Sequence, residues 1–184
     1  AFSGLTRGDF DEELDNATAD PGVYLLEKMT SGAYIGELCR LALCGAAREG
    51  LFSPRAAEYL LGLGDLSAPE ADSLAASGDS LIPGSENDRM TAAEICHALF
   101  DRAARCAAVP LYSILTFTGA GRAPGQPACI CADGALFTKS RIFRTALERY
   151  IENFAAADPG LFAVCRTAKN ATVIGAAAAA LLNS

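Results

Sequence analysis

The stretch "LLEKMTSGAYIGELCRLAL", Leu25 to Leu43, sets one carboxylate, Glu27, behind an apolar pair. An ionised carboxylate is an acceptor with two oxygens, so it can take hydrogen bonds from two neighbouring hydroxyl groups at once. The plainer reading is a solvated charge at a helix start, where the dipole favours it. Other reactive types are sparse. In "CICA", Cys129 and Cys131 would share one strand face and could ligate a metal, but His97 is the only histidine and no CxxC pair completes a zinc set. The seven cysteines therefore read as buried thiols and no metal site is expected. A histidine-activated thiol would have to use His97 beside Cys96, inside a helical pattern where packing in a core is the simpler expectation. The acidic run "DFDEELD" and the segment "RTALER" read as solvated helix faces.

In composition, 184 residues with 51% hydrophobic and 20% charged side chains are enough for one domain with a real core. A net charge of −7 argues against a general nucleic-acid or anionic-membrane binder, which needs surplus Lys and Arg. The longest apolar run, "VIGAAAAALL" at Val173 to Leu182, falls short of the about 20 residues that span a bilayer, so no membrane insertion is expected. No signal peptide opens these residues, and the odd cysteine number suits a reducing cytoplasm.

The elements that must position these residues divide into a mostly helical part, 1–118, and a part, 119–184, that alternates strand, helix, strand, helix; "TGAGRAPGQP" is the join. Apolar spacing predicts one helix from Leu25 to about Arg48, stopped by Gly50, with Gly32 and Gly36 on one face where another backbone approaches closely. Ser53 before Pro54 opens a short helix. Ser67 with Glu70, and Thr91 with Glu94, have capping-box spacing. The helix from Thr91 should run to about Leu115 with a kink or break at Pro110, and "SLAASGDSLIPGSENDR" reads as a loop. Further on, "ACICA" and "ALF" around Asp133 and Gly134 look like two strands joined by a tight turn. Ser140 opens a helix with positions 143, 147, 150, 151 and 154 on one face. "LFAVC" reads as a strand buried on both faces, and Thr172 as the cap of a last helix, Val173 to Leu182.

The segment "PGVYLLEKMTSGAYIGELCRLAL" resembles the hexokinase family, whose large domain carries the form PGxxxxEKMxSGxYxGExxR. The shared positions are Pro21, Gly22, Glu27, Lys28, Met29, Ser31, Gly32, Tyr34, Gly36, Glu37 and Arg40. Three further segments occur in family order. "AFSGLTRGDFDEELD" is similar to the family segment that contains the end of EWGAF and the residues just downstream, with Ala1 and Phe2 as the last two residues of that motif. "HALFDRAARCAAVPLYSIL" resembles the helix containing RAA. "ICADGALFTKSRIF" is similar to the hairpin VGVDGSLYKxHPxF beside the nucleotide. Asp133, Gly134 and Phe143 match that hairpin; Ala135 stands where a serine is usual and would contribute backbone alone. "KNATVIGAA" is similar to the closing turn EDGSGKGAA in keeping Gly175, Ala176 and Ala177 but lacks the earlier glycines, leaving Thr172 to present a hydroxyl at a helix start.

The resemblance implies the C-terminal part of a hexokinase-like large domain: α/β, partial ribonuclease-H-like as in the actin-like ATPases, predominantly helical with a small mixed sheet. It implies a sugar kinase that transfers the γ-phosphate of ATP, with Mg²⁺, to the 6-hydroxyl of a hexose, glucose by default. Glu27 would bind the hexose; Gly134, Ala135, Thr172 and, more remotely, Ser67 of "LGDLSAPEAD" would lie on the nucleotide side. These residues contain no DxGGT, GxxxxGK[ST] or GTGTN-like turn, so no catalytic residue is expected among them and the chain alone should be inactive. Its partner would be the N-terminal remainder of the kinase or a second copy. The alternatives are a non-catalytic relative acting as a sugar sensor or partner-binding scaffold, and an unrelated helical binding domain.

Overall fold

The computed structural model describes residues 6–77, 81–123, 125–158, 160–168 and 170–182, so Ala1 and Phe2 lie outside the described residues. Two compact units emerge, Ala1–Ala107 and Ala108–Ser184.

In the first unit an apolar helix, α3 (Ile35–Arg48), is the centre. It packs against α1 (Asp9–Ala17), α2 (Leu25–Thr30), α4 (Pro54–Leu61) and α5 (Ala68–Ser77). Its stripe of Leu38, Cys39 and Leu43 is fully buried, as the apolar spacing requires of a core-facing helix. The single helix expected from Leu25 to Arg48 is two. Ser31 turns to extended backbone at φ −96°, ψ 151°, and its hydroxyl accepts the Ala33 N–H at 3.2 Å. Serine offers the backbone this local alternative to a helical bond. Gly32 therefore lies in a turn and shares no helix face with Gly36.

Two other expectations are corrected. Part of the predicted loop, "SLAAS", belongs to α5, which buries Leu74 and Ala75. The long helix α6 (Glu86–Thr118) starts upstream of Thr91, because Ser85 and Asp88 make the reciprocal cap: the Ser85 N–H donates to Asp88 Oδ2 at 2.7 Å and the Asp88 N–H to Ser85 Oγ at 3.2 Å. The helix continues through Pro110 without a break.

Asp88, buried, also accepts the Ser53 N–H at 2.7 Å and the Ser53 hydroxyl at 2.8 Å, tying the start of α4 to the start of α6. The Ser53 N–H, then Ser85, hold its carboxyl well below the usual carboxylate range. A depressed folded-state pKa means that the stability it contributes is present above the unfolded value, about 4, and is lost as pH falls through the folded value. Thermal unfolding followed from pH 7 down to pH 2 should therefore show Tm falling in acid, with a shallower fall in Asp88→Asn. An unchanged slope would mean that Asp88 takes no part.

In the second unit, β1 (Ala128–Cys131) pairs with β2 (Ala163–Arg166) in parallel, Ala128 opposite Ala163 and Cys131 opposite Arg166. The hairpin expected at Asp133–Gly134 does not form. "ALF" opens a short helix, α7 (Ala135–Lys139), because the Gly134 carbonyl accepts both the N–H and the hydroxyl of Thr138, at 3.0 and 2.9 Å. The chain then runs through α8 (Arg141–Ala157) to reach β2, the long crossover that parallel strands need. Here the local reading holds: Ser140 caps α8 by accepting the Phe143 N–H at 3.1 Å, and Phe143, Leu147 and Ile151 are buried on one face.

The two-sided burial expected of β2 does not occur: Ala163, Val164 and Cys165 are half-buried and Phe162 is exposed. A two-stranded sheet is too small to cover both faces. The last helix, α9 (Ala171–Leu182), buries none of its residues, and it starts one position ahead of the expected Thr172 cap, with the Ile174 N–H bonded to the Asn170 carbonyl at 3.0 Å. Among the described residues no helix is long and apolar enough to cross a membrane.

Candidate functional site

Glu27 is exposed, in the first turn of α2, and among the described residues its carboxylate has no hydrogen bond or ion pair. Its neighbours Lys28 and Met29 are buried at 3% exposure each. Two acceptor oxygens are thus presented to solvent from a helix turn that is anchored beneath them. The anchor is Asp15. Lys28 Nζ donates to Asp15 Oδ1 at 2.5 Å and to the Asp20 carbonyl at 2.6 Å, and the Gly22 N–H reaches Asp15 Oδ2 at 2.9 Å. The Lys28 ammonium in particular keeps the Asp15 carboxyl below its ordinary value.

The acidic run around it departs from the solvated face expected of "DFDEELD". Asp11 and Asp15 are buried, and Asp11 accepts from both terminal guanidinium nitrogens of Arg102, at 2.7 and 2.6 Å. The spacing of Asp11, Leu14 and Asp15 at helical intervals marks one inward face, but no local signal identifies an arginine 91 residues away. The Arg102 Nε is buried without a partner among the described residues.

Gly36 accounts for the close approach expected of it. A Cβ there would stand 2.2 Å from the Leu66 carbonyl oxygen and 2.7 Å from the Ser67 carbonyl carbon, so the segment that leads into α5 lies directly on α3. Ser67 is exposed, and its capping box is present: its N–H donates to Glu70 Oε2 at 2.8 Å. Its hydroxyl is likewise engaged by Glu70 at 2.5 Å.

In the second unit, Asp133, Gly134, Ala135 and Thr172 lie at the surface, and the Thr172 hydroxyl donates to Asp133 Oδ2 at 3.3 Å. Two residues 39 apart in the chain are thereby brought together: the turn after β1 meets the start of α9. Ala135, the first residue of α7, contributes no polar side chain.

The reactive types carry no site of their own. Cys39, Cys44, Cys96 and Cys106 are buried thiols, whereas Cys129 and Cys131 are exposed, because they take the outward positions of β1. The Cys39 thiol is pushed far up by its neighbour Cys96 and by burial, which removes it as a nucleophile. His97 does not pack in a core; it is exposed on α6. Among the described residues no group of three or more His, Cys, Asp or Glu could hold a metal ion.

Comparison with known proteins bears on the family and the fold. A profile described as Hexokinase matches residues 1–182, and the chain belongs to the hexokinase family. It is 30% identical to Hexokinase-5 of Oryza sativa subsp. japonica over 200 residues, covering 98% of this chain and 39% of that protein. It is also 30% identical to human Hexokinase-1 over 162 residues, covering 79% of this chain and 18% of that protein. Among solved structures, the hexokinase from Schistosoma mansoni complexed with glucose matches with a TM-score of 0.69 at 18% identity, over 88% of this chain and 38% of that one. The fold is thus that of part of a hexokinase, and the chain spans well under half the length of these relatives.

Proposed function

We propose that the intact protein is an ATP-dependent hexokinase, that Glu27 binds the sugar, and that the residues around Thr172 face the nucleoside end of ATP. What carries this reading is the exposed Glu27 carboxylate, without a hydrogen bond or ion pair among the described residues, on an anchored turn within the segment that resembles the family's sugar-binding stretch. The carboxylate accepts hydrogen bonds from adjacent sugar hydroxyls and so orients the ring for attack through its 6-hydroxyl.

On the nucleotide side, the Thr172 hydroxyl, the backbone of Gly134 and Ala135 and, at a remove, Ser67 are the groups offered; MgATP supplies the phosphoryl group. The segments that resemble the family include none of its phosphate-loop motifs, so metal positioning and the proton-accepting base belong to other parts of the intact protein, and these 184 residues alone are inactive. The protein works in the cytoplasm on glucose by default.

The test is hexose-dependent sugar phosphate formation from MgATP by the full-length gene product, with glucose, fructose and mannose offered in turn. Phosphorylation of glucose is expected. Glucose binding without phosphate transfer to any of the three would instead make the protein a sugar sensor, a role that the altered "KNATVIGAA" turn would also suit.

A further inference from the structure

We propose that the buried Asp15–Lys28 pair is a positioning device for the Glu27 carboxylate, setting sugar affinity without touching the sugar; this rests on the reading of Glu27 as the hexose ligand. α2 has six residues, too few to hold a helix in water by itself. Its orientation must come from outside.

Three observations show where from. Lys28, 3% exposed, is drawn inward by Asp15 Oδ1 and the Asp20 carbonyl, and Met29 is buried beside it. At about 100° per residue, this fixes the rotation of α2 and leaves Glu27 facing solvent. Asp15, 5% exposed, also accepts the Gly22 N–H through both oxygens, at 3.1 and 2.9 Å, and Arg7 Nη1 at 3.4 Å. One carboxylate thus fastens the end of α1, the connecting loop and α2 together. Finally, the Tyr24 carbonyl, just before α2, accepts the Lys28 N–H at 3.0 Å, so the start of the helix is tied to the anchored residue. The entry to the Glu27 turn is therefore fixed from both sides.

A purely structural role would be the alternative, but a buried ion pair is a poor source of net stability compared with apolar residues of the same size. What such a pair supplies here is a defined direction for the residue next to it.

The experiment is a double-mutant cycle on the full-length protein, read by equilibrium glucose binding in titration calorimetry, with Tm recorded for every variant. Lys28→Met is expected to weaken glucose binding on the order of tenfold, the effect of a ligand displaced by a fraction of an ångström. In the Glu27→Gln background the same change should cost nothing further. Because Lys28→Met strands a buried carboxylate and can fail to fold, the pair Asp15→Asn with Lys28→Met removes both charges while the introduced amide oxygen still accepts the Gly22 N–H. This double variant should fold and bind glucose about tenfold more weakly, and adding Glu27→Gln to it completes a second cycle. Penalties that add in full across either cycle overturn the positioning role, as does a folded double variant with unchanged affinity. Glu27→Gln alone reports on the sugar reading: if it leaves binding unchanged, that reading fails and this inference with it.

Discussion

Gly36→Ala is expected to destabilise the protein by about 3 kcal/mol, the upper end of what overpacking a core costs. The added methyl would meet the Leu66 oxygen at 2.2 Å, the Ser67 carbonyl carbon at 2.7 Å and the Ala68 nitrogen at 2.8 Å. All three are backbone atoms, so none can swing away as a side chain would. The helix cannot yield either, since Leu38, Cys39 and Leu43 around it have no exposed surface. For a chain of 184 residues the loss corresponds to a fall in Tm of roughly 6–12 °C, read by scanning calorimetry. Gly45→Ala is the control. The three atoms nearest its Cβ all belong to the Phe10 ring, the first at 2.3 Å, and that half-buried side chain can rotate aside, so its cost should be clearly smaller. A Gly36 variant as stable as the native protein, or one less affected than the Gly45 variant, would show that the α3 to α5 approach is looser than the structure has it.

Glu27→Gln is expected to lower kcat/KM for glucose by roughly 10- to 100-fold in the full-length protein while leaving Tm nearly unchanged. The amide keeps the shape of the side chain but replaces one acceptor oxygen with a donor and removes the charge. Hydrogen bonds to charged groups contribute about 1.5–3 kcal/mol, and each 1.4 kcal/mol is tenfold. Stability should hold because the carboxylate is exposed and makes no hydrogen bond or ion pair among the described residues that folding could lose. The KM for ATP should move little, since the loss falls on sugar binding. A change in kcat/KM of less than about twofold would remove Glu27 from the sugar site, as would a loss that tracks a fall in Tm.

Where sequence and structure agree, the controlling interactions are short-range. Ser140 opening α8, Pro54 opening α4, the Ser67 and Glu70 box and the stop at Gly50 each involve groups within a turn of one another. Where they part, a distant group or a competing local bond decides. Ser85 and Asp88 begin α6 ahead of the equally well-formed Thr91 and Glu94 signal because Asp88 also reaches Ser53, 35 residues away. The Asp133–Gly134 turn reads as a hairpin because β1 can be set only against the next apolar run; its true partner is β2, beyond α7 and α8. Asp11 and Asp15 read as solvent-facing charges, since acidic residues go inside only when paired and the pairing residues, Arg102 and Lys28, are not adjacent.

By itself the amino-acid sequence determined the family and the helical character of the first unit, and it singled out the carboxylate proposed for the sugar, because these depend on residue identity, spacing and local capping. Only the tertiary structure decided what Glu27 stands on, which backbone lies against Gly36, and that Asp133 meets Thr172. Each of these is a meeting of groups far apart in the chain, and such meetings are selected by the burial of a whole unit rather than by any local preference.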